Sequence, residues 1–338
     1  MLSPTTLDLP SARRRLKGRV HRTPLLHSTQ IDLKVGRRVW FKAECLQRTG
    51  SFKIRGALNA ALHGWEAGDR RGLACVSSGN HGQAVAVAAR ELGLPALVVM
   101  SGDSSELKAT AIRGYGAEVY TEGVTVQNRE EVCQALASER GLRFVHPHDD
   151  QEVMAGQATV AQELVEQLRE HEVEAEAVLI PVGGGGLLAG MVTTLTQQLP
   201  QTTVIGVEPS AGDDGLRSLR QGELVTLAAT PDTLADGART VRLGTGCWEI
   251  IRSLQPVLAT VDEGALARSC WWLWTRTKLM VEPTGALTLA ALLAPPAASS
   301  RALPDRGGDV VCVVSGGNLD PAQVPTILEL ASRQGGSR

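Results

Sequence analysis

The stretch that decides the fold covers residues 177–190 and reads Ala-Val-Leu-Ile-Pro-Val followed by Gly-Gly-Gly-Gly-Leu-Leu-Ala-Gly. An apolar strand leads into four consecutive glycines and then into a helical pattern. Glycines let a backbone approach an anion closely, and the first turn of a helix offers unpaired N–H groups at the positive end of its dipole. A tight turn alone would need only one or two glycines. This stretch therefore predicts a phosphate cradle.

Short runs rich in Val and Ile lie on both sides of this stretch and alternate with segments of helical composition. The predicted strands are Leu73–Val76, Ala96–Met100, Glu118–Tyr120, Ala177–Val182, Val204–Val207 and Val310–Val314. The predicted helices are His81–Leu92, Leu107–Gly114, Arg129–Arg140 and Gln157–Leu168. Such alternation is typical of an α/β protein with parallel sheets flanked by helices, in which ligands bind at the carboxyl ends of the strands.

The composition fits a globular protein that binds neither nucleic acid nor membrane. A length of 338 residues favours about two domains, and 34 Lys and Arg against 36 Asp and Glu give a net charge of −2. The longest weakly polar stretch, Gly285–Ala297, is too short to span a bilayer. The six cysteines form no CxxC pair, and no apolar segment follows the basic N-terminal residues. We therefore expect a reduced, cytoplasmic location.

Three further segments are predicted to lie outside the sheet framework. The basic stretch Ser11–Arg22 indicates a solvated helix capped by Ser11 rather than a binding patch. Residues Ala294–Arg306, rich in Pro, Ala and Ser, indicate a surface connection, and Gln334–Arg338 indicate a frayed end.

The glycine stretch leaves the identity of the phosphate open. Gly184-x-Gly186-x-x-Ala189 fits a dinucleotide-binding fingerprint, and the next predicted strand is followed by Glu208, at a distance suited to a ribose. A nicotinamide-dependent oxidoreductase is therefore a real alternative at this point.

Ser51-Phe-Lys-Ile-Arg-Gly-Ala57 places one lysine, Lys53, between an aromatic residue and a run that contains small residues. A lysine whose pKa is lowered by burial or by a cationic neighbour forms a Schiff base with an aldehyde. The alternative for a lone lysine is a solvated surface side chain.

Two more polar turns follow predicted strands. Ser77-Ser-Gly-Asn-His-Gly-Gln83 offers hydroxyls, an amide and free N–H groups at a helix start, which suits a carboxylate; the alternative is an ordinary helix cap. Ser315-Gly-Gly-Asn318 follows the last predicted strand. With the glycine stretch, these turns are predicted to open on the same edge of the sheet.

Together and in this order, the windows resemble the fold-type II pyridoxal-phosphate enzymes, in the branch of serine/threonine dehydratases and serine racemases. The resemblance extends from about Gly18 to about Asp320. It implies a two-domain fold like that of the tryptophan synthase β subunit. A small domain of residues 72–147 would be inserted into a large cofactor-binding domain of residues 1–71 and 148–338. It also implies a homodimer, pyridoxal 5′-phosphate as cofactor and a small amino acid as substrate.

Carried over residue by residue, the resemblance makes Lys53 the lysine that holds the cofactor and then acts as a base on the substrate's Cα. Phe52 would pack on the pyridine ring, Asn80 would bond the phenolic oxygen, and Ser315 would bond the ring nitrogen. A neutral Ser at that nitrogen favours elimination, because it does not enforce a pyridinium. The phosphate would be cradled by Gly183, Gly184, Gly185, Gly186 and Leu187.

The resemblance also implies a substrate site. The substrate carboxylate would be held by Ser77, Asn80 and His81. Ser78 would face Cα opposite the lysine, as in serine racemases and 3-hydroxyaspartate dehydratases, whereas many threonine dehydratases carry Ala there. Arg129 would lie near the substrate side chain, although a solvated residue in the first turn of a helix is the alternative. Thr240 occupies a position where a substrate-contacting serine often sits.

A divalent-cation site is the last feature that the resemblance implies. Its ligands would be Glu208, the carbonyl of Gly212 and Asp214. Such oxygen-only ligands suit Mg²⁺, Ca²⁺ or Mn²⁺. The alternative is a pair of loop carboxylates in water.

The activity implied is that of a hydroxy-amino-acid ammonia-lyase, which converts L-threonine, L-serine or a 3-hydroxyaspartate-like substrate to a 2-keto acid and ammonia. A serine racemase, active alone or together with the lyase reaction, is the second hypothesis. The NAD(P)-dependent oxidoreductase is more remote, and a protein that binds the cofactor without turnover is a further alternative.

Overall fold

The computed structural model describes residues 7–77, 79–102, 104–293 and 307–333. Within these ranges the strands are β1 (Leu25–His27), β2 (Val39–Lys42), β3 (Leu73–Val76), β4 (Ala96–Val99), β5 (Glu118–Tyr120), β6 (Arg143–Phe144), β7 (Ala175–Pro181), β8 (Thr203–Pro209), β9 (Val257–Val261) and β10 (Asp309–Val313). The helices are α1 (Leu9–Leu16), α2 (Thr29–Val35), α3 (Lys53–Glu66), α4 (Asn80–Glu91), α5 (Glu106–Gly114), α6 (Arg129–Glu139), α7 (Gln151–Glu170), α8 (Gly186–Gln198), α9 (Asp214–Gln221), α10 (Thr245–Leu254), α11 (Glu263–Arg276), α12 (Pro283–Leu293) and α13 (Val324–Arg333).

The larger sheet has six strands in the order β1-β2-β10-β7-β8-β9. All neighbours are parallel except β1, which pairs antiparallel with β2 at one edge. The middle of β10 pairs on both sides, with Val311 opposite Trp40 of β2 and Val178 of β7. Val310–Val313 are completely buried, as expected for the apolar run of a strand covered on both faces.

The smaller sheet has four parallel strands in the order β5-β4-β3-β6. All four lie between residues 73 and 144, and helices α4, α5 and α6 alternate with them. The prediction of an α/β fold with parallel sheets flanked by helices is confirmed. The domain boundaries at residues 72 and 147 stay a prediction.

Two close helix crossings hold the site in place. A Cβ atom at Gly156 of α7 would lie 2.4 Å from the carbonyl oxygen of Arg55 in α3. A Cβ atom at Gly190 of α8 would lie 2.5 Å from the carbonyl oxygen of Met154 in α7. Side chains at these positions would push the backbones apart. Helix α3 begins at Lys53 and α8 begins at Gly186. Because α7 packs closely against both helices, it holds Lys53 and the glycine loop at a fixed position relative to each other.

The first helix differs from the sequence-based expectation. It covers Leu9–Leu16, and its cap is Asp8, whose carboxylate accepts a hydrogen bond from the backbone N–H of Ser11. The prediction of Ser11 as the cap is therefore wrong, because Asp8 precedes the Pro10 that suits a first turn. The helix is also only partly solvated, since Arg15 forms ion pairs with Glu66 and Glu152.

Two predicted segments, Ala294–Arg306 and Gln334–Arg338, lie wholly outside the described residues. Among the residues that are described, no helix combines the length and the apolar character needed to cross a membrane.

Candidate functional site

A cavity of about 550 Å³ lies where the carboxyl ends of the two sheets face one another. The glycine stretch follows β7 and Ser315 follows β10 in the larger sheet, whereas Ser77 follows β3 in the smaller one. The expectation that all three turns open on the edge of one sheet is therefore wrong. The turns nevertheless line one cavity, because the edges of two separate sheets converge on it.

Lys53 enters this cavity from the first position of α3. An isolated β-bridge between Ser51 and Gly316 ties the preceding residues to the turn after β10. The ammonium group donates a hydrogen bond to the carbonyl of Pro147 at 2.8 Å and lies 5.2 Å from the centre of the Phe52 ring. Burial lowers the pKa of Lys53 to about 8. Lys53 is thus not a solvated surface lysine but an amine with a substantial neutral fraction near pH 8.

The four glycines are explained by space and by backbone conformation together. Gly185 has φ of +90°, which L side chains rarely adopt, and it caps α8. A Cβ atom at Gly183 would lie 2.8 Å from the carbonyl of Gly237, and one at Gly184 would lie 2.4 Å from the ring of His148. The loop therefore presents backbone to the cavity, and the first N–H groups of α8 have no partner within the helix.

The turn before α4 offers backbone donors rather than a charged side chain. The Ser77 hydroxyl accepts a hydrogen bond from the N–H of Gly79 at 3.0 Å. His81 Nε2 donates to the carbonyl of Val145 at 2.9 Å, so Nδ1 carries no hydrogen, and Nδ1 is buried without a partner among the described residues. Burial lowers the pKa of His81 to about 3. A contact of His81 with a carboxylate would therefore come from its backbone N–H.

The amide of Asn80 is held in one orientation by two neighbours. Its oxygen accepts a hydrogen bond from Asn318 Nδ2 at 2.7 Å, and its nitrogen donates to Glu282 Oε1 at 2.7 Å. One hydrogen of the Asn80 nitrogen remains for another acceptor. Burial and the charge of Asp236 raise the pKa of Glu282 to about 7.

Three further residues that the sequence predicted for the site, Ser315, Arg129 and Thr240, also line the cavity. Ser315 is 2% exposed at the end of β10 and its carbonyl accepts the N–H of Phe52 at 3.1 Å. Arg129 begins α6 at the cavity wall. The hydroxyl of Thr240 is buried and makes no hydrogen bond with the described residues. Ser78 lies outside the described residues.

Several cavity residues escaped the sequence reasoning. His148, Lys108, Asp236 and Glu282 line the cavity, and Lys108 forms an ion pair with Asp236. This pair links α5, beside the smaller sheet, to the loop that precedes α10. The signal for His148 was present in His146-Pro-His148, directly before the Asp150 cap of α7. Glu282 offered a weaker signal, a lone carboxylate within an apolar window.

The Glu208 region lies away from the residues that line the cavity. Glu208 is 1% exposed, and its two carboxylate oxygens accept the N–H groups of Gly215 and Leu216, each at 2.9 Å. Both backbone donors belong to the start of α9. Glu208 therefore caps a helix, and it does not face a ribose site beside the glycine loop. Burial and the charge of Asp214 raise the pKa of Glu208 well above its usual range.

Comparisons with known proteins agree with this geometry. The family model described as "Pyridoxal-phosphate dependent enzyme" matches residues 16–316. The L-threo-3-hydroxyaspartate ammonia-lyase of Saccharomyces cerevisiae is 38% identical over 97% of this chain and 97% of its own length. The serine racemase of Schizosaccharomyces pombe is 37% identical over 95% of this chain and 96% of its own length.

Among solved structures, a threonine deaminase from T.th. superposes with a TM-score of 0.86 at 49% sequence identity, covering 93% of this chain and 98% of that one. The glycine stretch alone was compatible with pyridoxal phosphate and with a nicotinamide dinucleotide, and the family match favours pyridoxal phosphate. The chain belongs to the family of pyridoxal-phosphate-dependent enzymes.

Proposed function

We propose that this protein is an ammonia-lyase that converts a hydroxy amino acid, L-threonine, L-serine or a 3-hydroxyaspartate, to a 2-keto acid and ammonia. The observation that carries the proposal is Lys53, a half-buried amine with a pKa of about 8 beside a glycine loop. The relatives named as L-threo-3-hydroxyaspartate ammonia-lyase and threonine deaminase support it.

The cavity residues fit pyridoxal 5′-phosphate. The unpaired N–H groups of the Gly183–Leu187 loop suit its phosphate, with a glycine at each position where a Cβ atom would collide or strain the backbone. The spare hydrogen of Asn80 suits the phenolic oxygen, and the Ser315 hydroxyl suits the ring nitrogen. When bound, the cofactor supplies an aldehyde for amines and an electron sink that makes a substrate's Cα proton acidic.

The chain's own residues supply binding and proton transfer. The backbone N–H groups at the start of α4, next to Ser77, bind the substrate carboxylate. Lys53 acts as the general base at Cα, a task for which a pKa near the working pH is best suited. Arg129 and Thr240 contact the substrate side chain. Phe52 packs against the ring of the cofactor, and the resemblance assigns to Ser78 a role on the opposite side of Cα.

The experiment that tests the lyase proposal measures keto acid and ammonia release by the purified protein with Mg²⁺ and pyridoxal phosphate. The substrates are L-serine, D-serine, L-threonine and the isomers of 3-hydroxyaspartate. We expect release from one substrate well above the others. Release from none of them would contradict the proposal.

Serine racemase activity is the second candidate, because a relative of that name matches nearly the whole chain. It requires a proton donor opposite Lys53, the role that the resemblance gives to Ser78. Chiral chromatography of the same L-serine reactions tests it. D-serine formed in proportion to enzyme supports racemisation, and its absence while keto acid accumulates contradicts it.

We also propose that Glu208, the carbonyl of Gly212 and Asp214 hold a divalent cation. Both carboxylates are buried, and Asp214 Oδ2 has no hydrogen-bond partner among the described residues. Burial raises the pKa of Asp214 to about 7, so a cation would relieve the crowding of negative charge. The described residues contain no group of three or more His, Cys, Asp or Glu side chains around one point, so carbonyl and water oxygens would complete the set.

Melting curves test this cation site. Mg²⁺ added to protein stripped with EDTA is expected to raise the melting temperature, because a ligand that binds only the folded state stabilises it. Asp214→Asn is expected to abolish this response. An equal response in the variant and the parent would contradict the site.

Finally, we infer a homodimer, a location in the cytoplasm, and a division into domains of residues 72–147 and of 1–71 with 148–338. The dimer is supported by two exposed apolar side chains, Leu46 and Met280. They lie in one region of the surface, because Cys45 and the carbonyl of Met280 both pack close to Gly317. Light scattering after size-exclusion chromatography tests the dimer, and a mass near 35.8 kDa would contradict it.

A further inference from the structure

His148 lines the cavity, yet neither the cofactor contacts nor the proton transfer described above use it. The residue directly follows Pro147, whose carbonyl accepts the hydrogen bond from Lys53 at 2.8 Å. Its backbone is anchored from the far side, because its carbonyl accepts the Sγ–H of Cys247 at 3.3 Å. The His148 side chain is therefore held at a fixed place close to the amine of Lys53.

The ring of His148 lies flat against the glycine loop. A Cβ atom at Gly184 would lie 2.4 Å from each of three ring atoms, Cε1, Cγ and Nδ1, so the face of the ring covers that residue. The other neighbour is the ring of His146, at 4.5 Å between centroids and an interplanar angle of 87°. Packing thus fixes the plane of the ring, while the hydrogen bonds that His148 makes with the described residues involve its backbone N–H and carbonyl rather than its ring nitrogens.

The two histidines that flank Pro147 differ in this respect. His146 Nδ1 accepts the backbone N–H of Asp149 at 2.7 Å, which leaves its hydrogen on Nε2. Among the described residues none makes such a contact with the ring of His148, so either ring nitrogen can carry the hydrogen toward a ligand. A half-buried ring with an unassigned donor inside a cavity is suited to a ligand that is absent from the structure.

The charges around His148 indicate which kind of ligand it takes. Burial lowers its pKa well below the usual range, and the positive charges of Lys53 and Arg129 lower it further. The ring is therefore a neutral hydrogen-bond donor in a cationic surrounding. Arg129, which the substrate proposal places beside the side chain, lines the same cavity. An anionic acceptor suits the positive charge of Arg129 and the donor of His148, whereas a methyl group would offer the His148 donor no acceptor.

We propose that His148 is a specificity residue that donates a hydrogen bond to a carboxylate on the substrate's Cβ, so that the enzyme prefers 3-hydroxyaspartate to L-threonine. This inference rests on the proposed ammonia-lyase function and names the substrate within it. His148 acts with Arg129: the guanidinium supplies the charge, and the imidazole supplies a directed donor from a ring held in plane by Gly184.

The test compares the holoenzyme with His148→Phe, which keeps a flat ring against Gly184 and removes both nitrogens. His148→Gln is the second variant, because it restores a donor without the ring. The matched control is His171→Phe at the exposed end of α7, outside the cavity. For each protein, kcat/KM is measured for L-threo-3-hydroxyaspartate and for L-threonine. Binding of succinate, a four-carbon dicarboxylate, is measured separately through the absorption of the cofactor.

We expect His148→Phe to lower the ratio of the two kcat/KM values by about tenfold or more, the effect of losing one hydrogen bond to a charged group. The loss should fall on hydroxyaspartate, with succinate binding weakened by a similar factor and cofactor content unchanged. His148→Gln should regain part of the ratio, and His171→Phe should match the parent.

Two outcomes overturn the inference while the lyase function stands. One is a parent enzyme that prefers L-threonine to hydroxyaspartate. The other is an unchanged ratio in His148→Phe, which would make the ring a spacer for the glycine loop. If the parent releases keto acid from no substrate, the lyase proposal fails. Succinate binding then still decides the role of His148, because equal affinity in parent and His148→Phe contradicts it.

Discussion

Two lysines, the completely buried Lys42 and the half-buried Lys53, lie in neighbouring elements and differ in what surrounds them. Lys42, at the end of β2, is completely buried and donates to the carbonyl of Thr23, to Glu163 and to Gln167. Lys53, at the start of α3, has one carbonyl as hydrogen-bond partner and no carboxylate in contact among the described residues. Burial lowers the pKa of both; the opposing charges at Lys42 include Glu163, which is bonded to it directly, whereas at Lys53 the opposing charge of Glu282 acts without a hydrogen bond.

The comparison teaches that the hydrogen-bonding and charged partners of a lysine in the interior decide what it does. Arg55 joins the group around Lys42, with its guanidinium bonded to both oxygens of Glu44 at 2.8 Å. In that group every charged side chain is paired with another member, so its role is structural. The amine of Lys53 is partly neutral near its pKa and faces a cavity, so it is available for reaction with a ligand.

The largest effect that we expect is on activity. Lys53→Met should lower keto acid release from the preferred substrate by about 10³-fold or more, because one residue both holds the cofactor and moves the Cα proton. Borohydride should then fix no cofactor to the protein, as mass spectrometry will show. The exposed Lys34 provides the control, since Lys34→Met should leave both readouts unchanged. Activity near the parental level in Lys53→Met would place the base elsewhere.

Two residues further along α3, substitution of Arg55 is expected to lower the stability of the protein. Arg55→Met leaves the carboxylate of Glu44, which is fully buried, without its main partner. Breaking a buried pair in this way costs about 3–5 kcal/mol of unfolding free energy. Urea unfolding measures the loss, with Lys53→Met as the control from the same helix. Equal stability of the two variants would mean that this group of paired charges does not matter to the fold.

The lowered pKa of Lys53 should also make the free energy of unfolding depend on pH. Its folded pKa of about 8 lies below the ordinary value of 10.5, so between these pH values the unfolded chain binds a proton that the folded chain has released. The free energy of unfolding of the cofactor-free protein should therefore rise with pH across this window, by up to about 3 kcal/mol. Lys53→Met should lack this rise. Parallel pH curves for the two proteins would show that the amine is not desolvated.

A smaller effect is expected at the rim of the charged group. The side chain of Glu163 is 14% exposed and is shared by Lys42 and Arg55. Because water reaches it and Glu44 remains, Glu163→Gln should cost about 1–2 kcal/mol of unfolding free energy. The same urea measurements test this, and a loss as large as that of Arg55→Met would mean that Glu163, not Glu44, is the main partner.

Much of the fold could be predicted from local pattern, and the exceptions have physical causes. The strands that were found are apolar runs such as Val310–Val313, buried on both faces. Strand β2, Val39–Lys42, was missed because a lysine at its end indicates a surface, and its burial depends on partners far away in sequence, Glu163 and Gln167. The two-residue strand β6, Arg143–Phe144, is too short to show any period.

The site residues likewise fall into those that local motifs predict and those that only the folded structure brings together. Lys53, the glycine loop and Ser315 follow strands or begin helices, so their motifs could be recognised in the chain. His148 and Glu282 reach the cavity through contacts with residues far away in sequence, such as Gly184 and Asn80. No local pattern records such contacts. The merging of two sheet edges into one cavity depends on packing of the whole molecule and was likewise beyond the sequence.

The position of β10 has a consequence for how the protein is made. Among the strands of the described residues β10 comes last in chain order, yet it lies between β2 and β7, and the turn with Ser315 follows it. As the chain leaves the ribosome from its N-terminus, the smaller sheet, contained in residues 73–144, is available early. The larger sheet has to wait for its middle strand. A nascent chain therefore acquires its cofactor site only after β10 has been synthesised, and a product terminated before β10 carries Lys53 without the turn that contains Ser315.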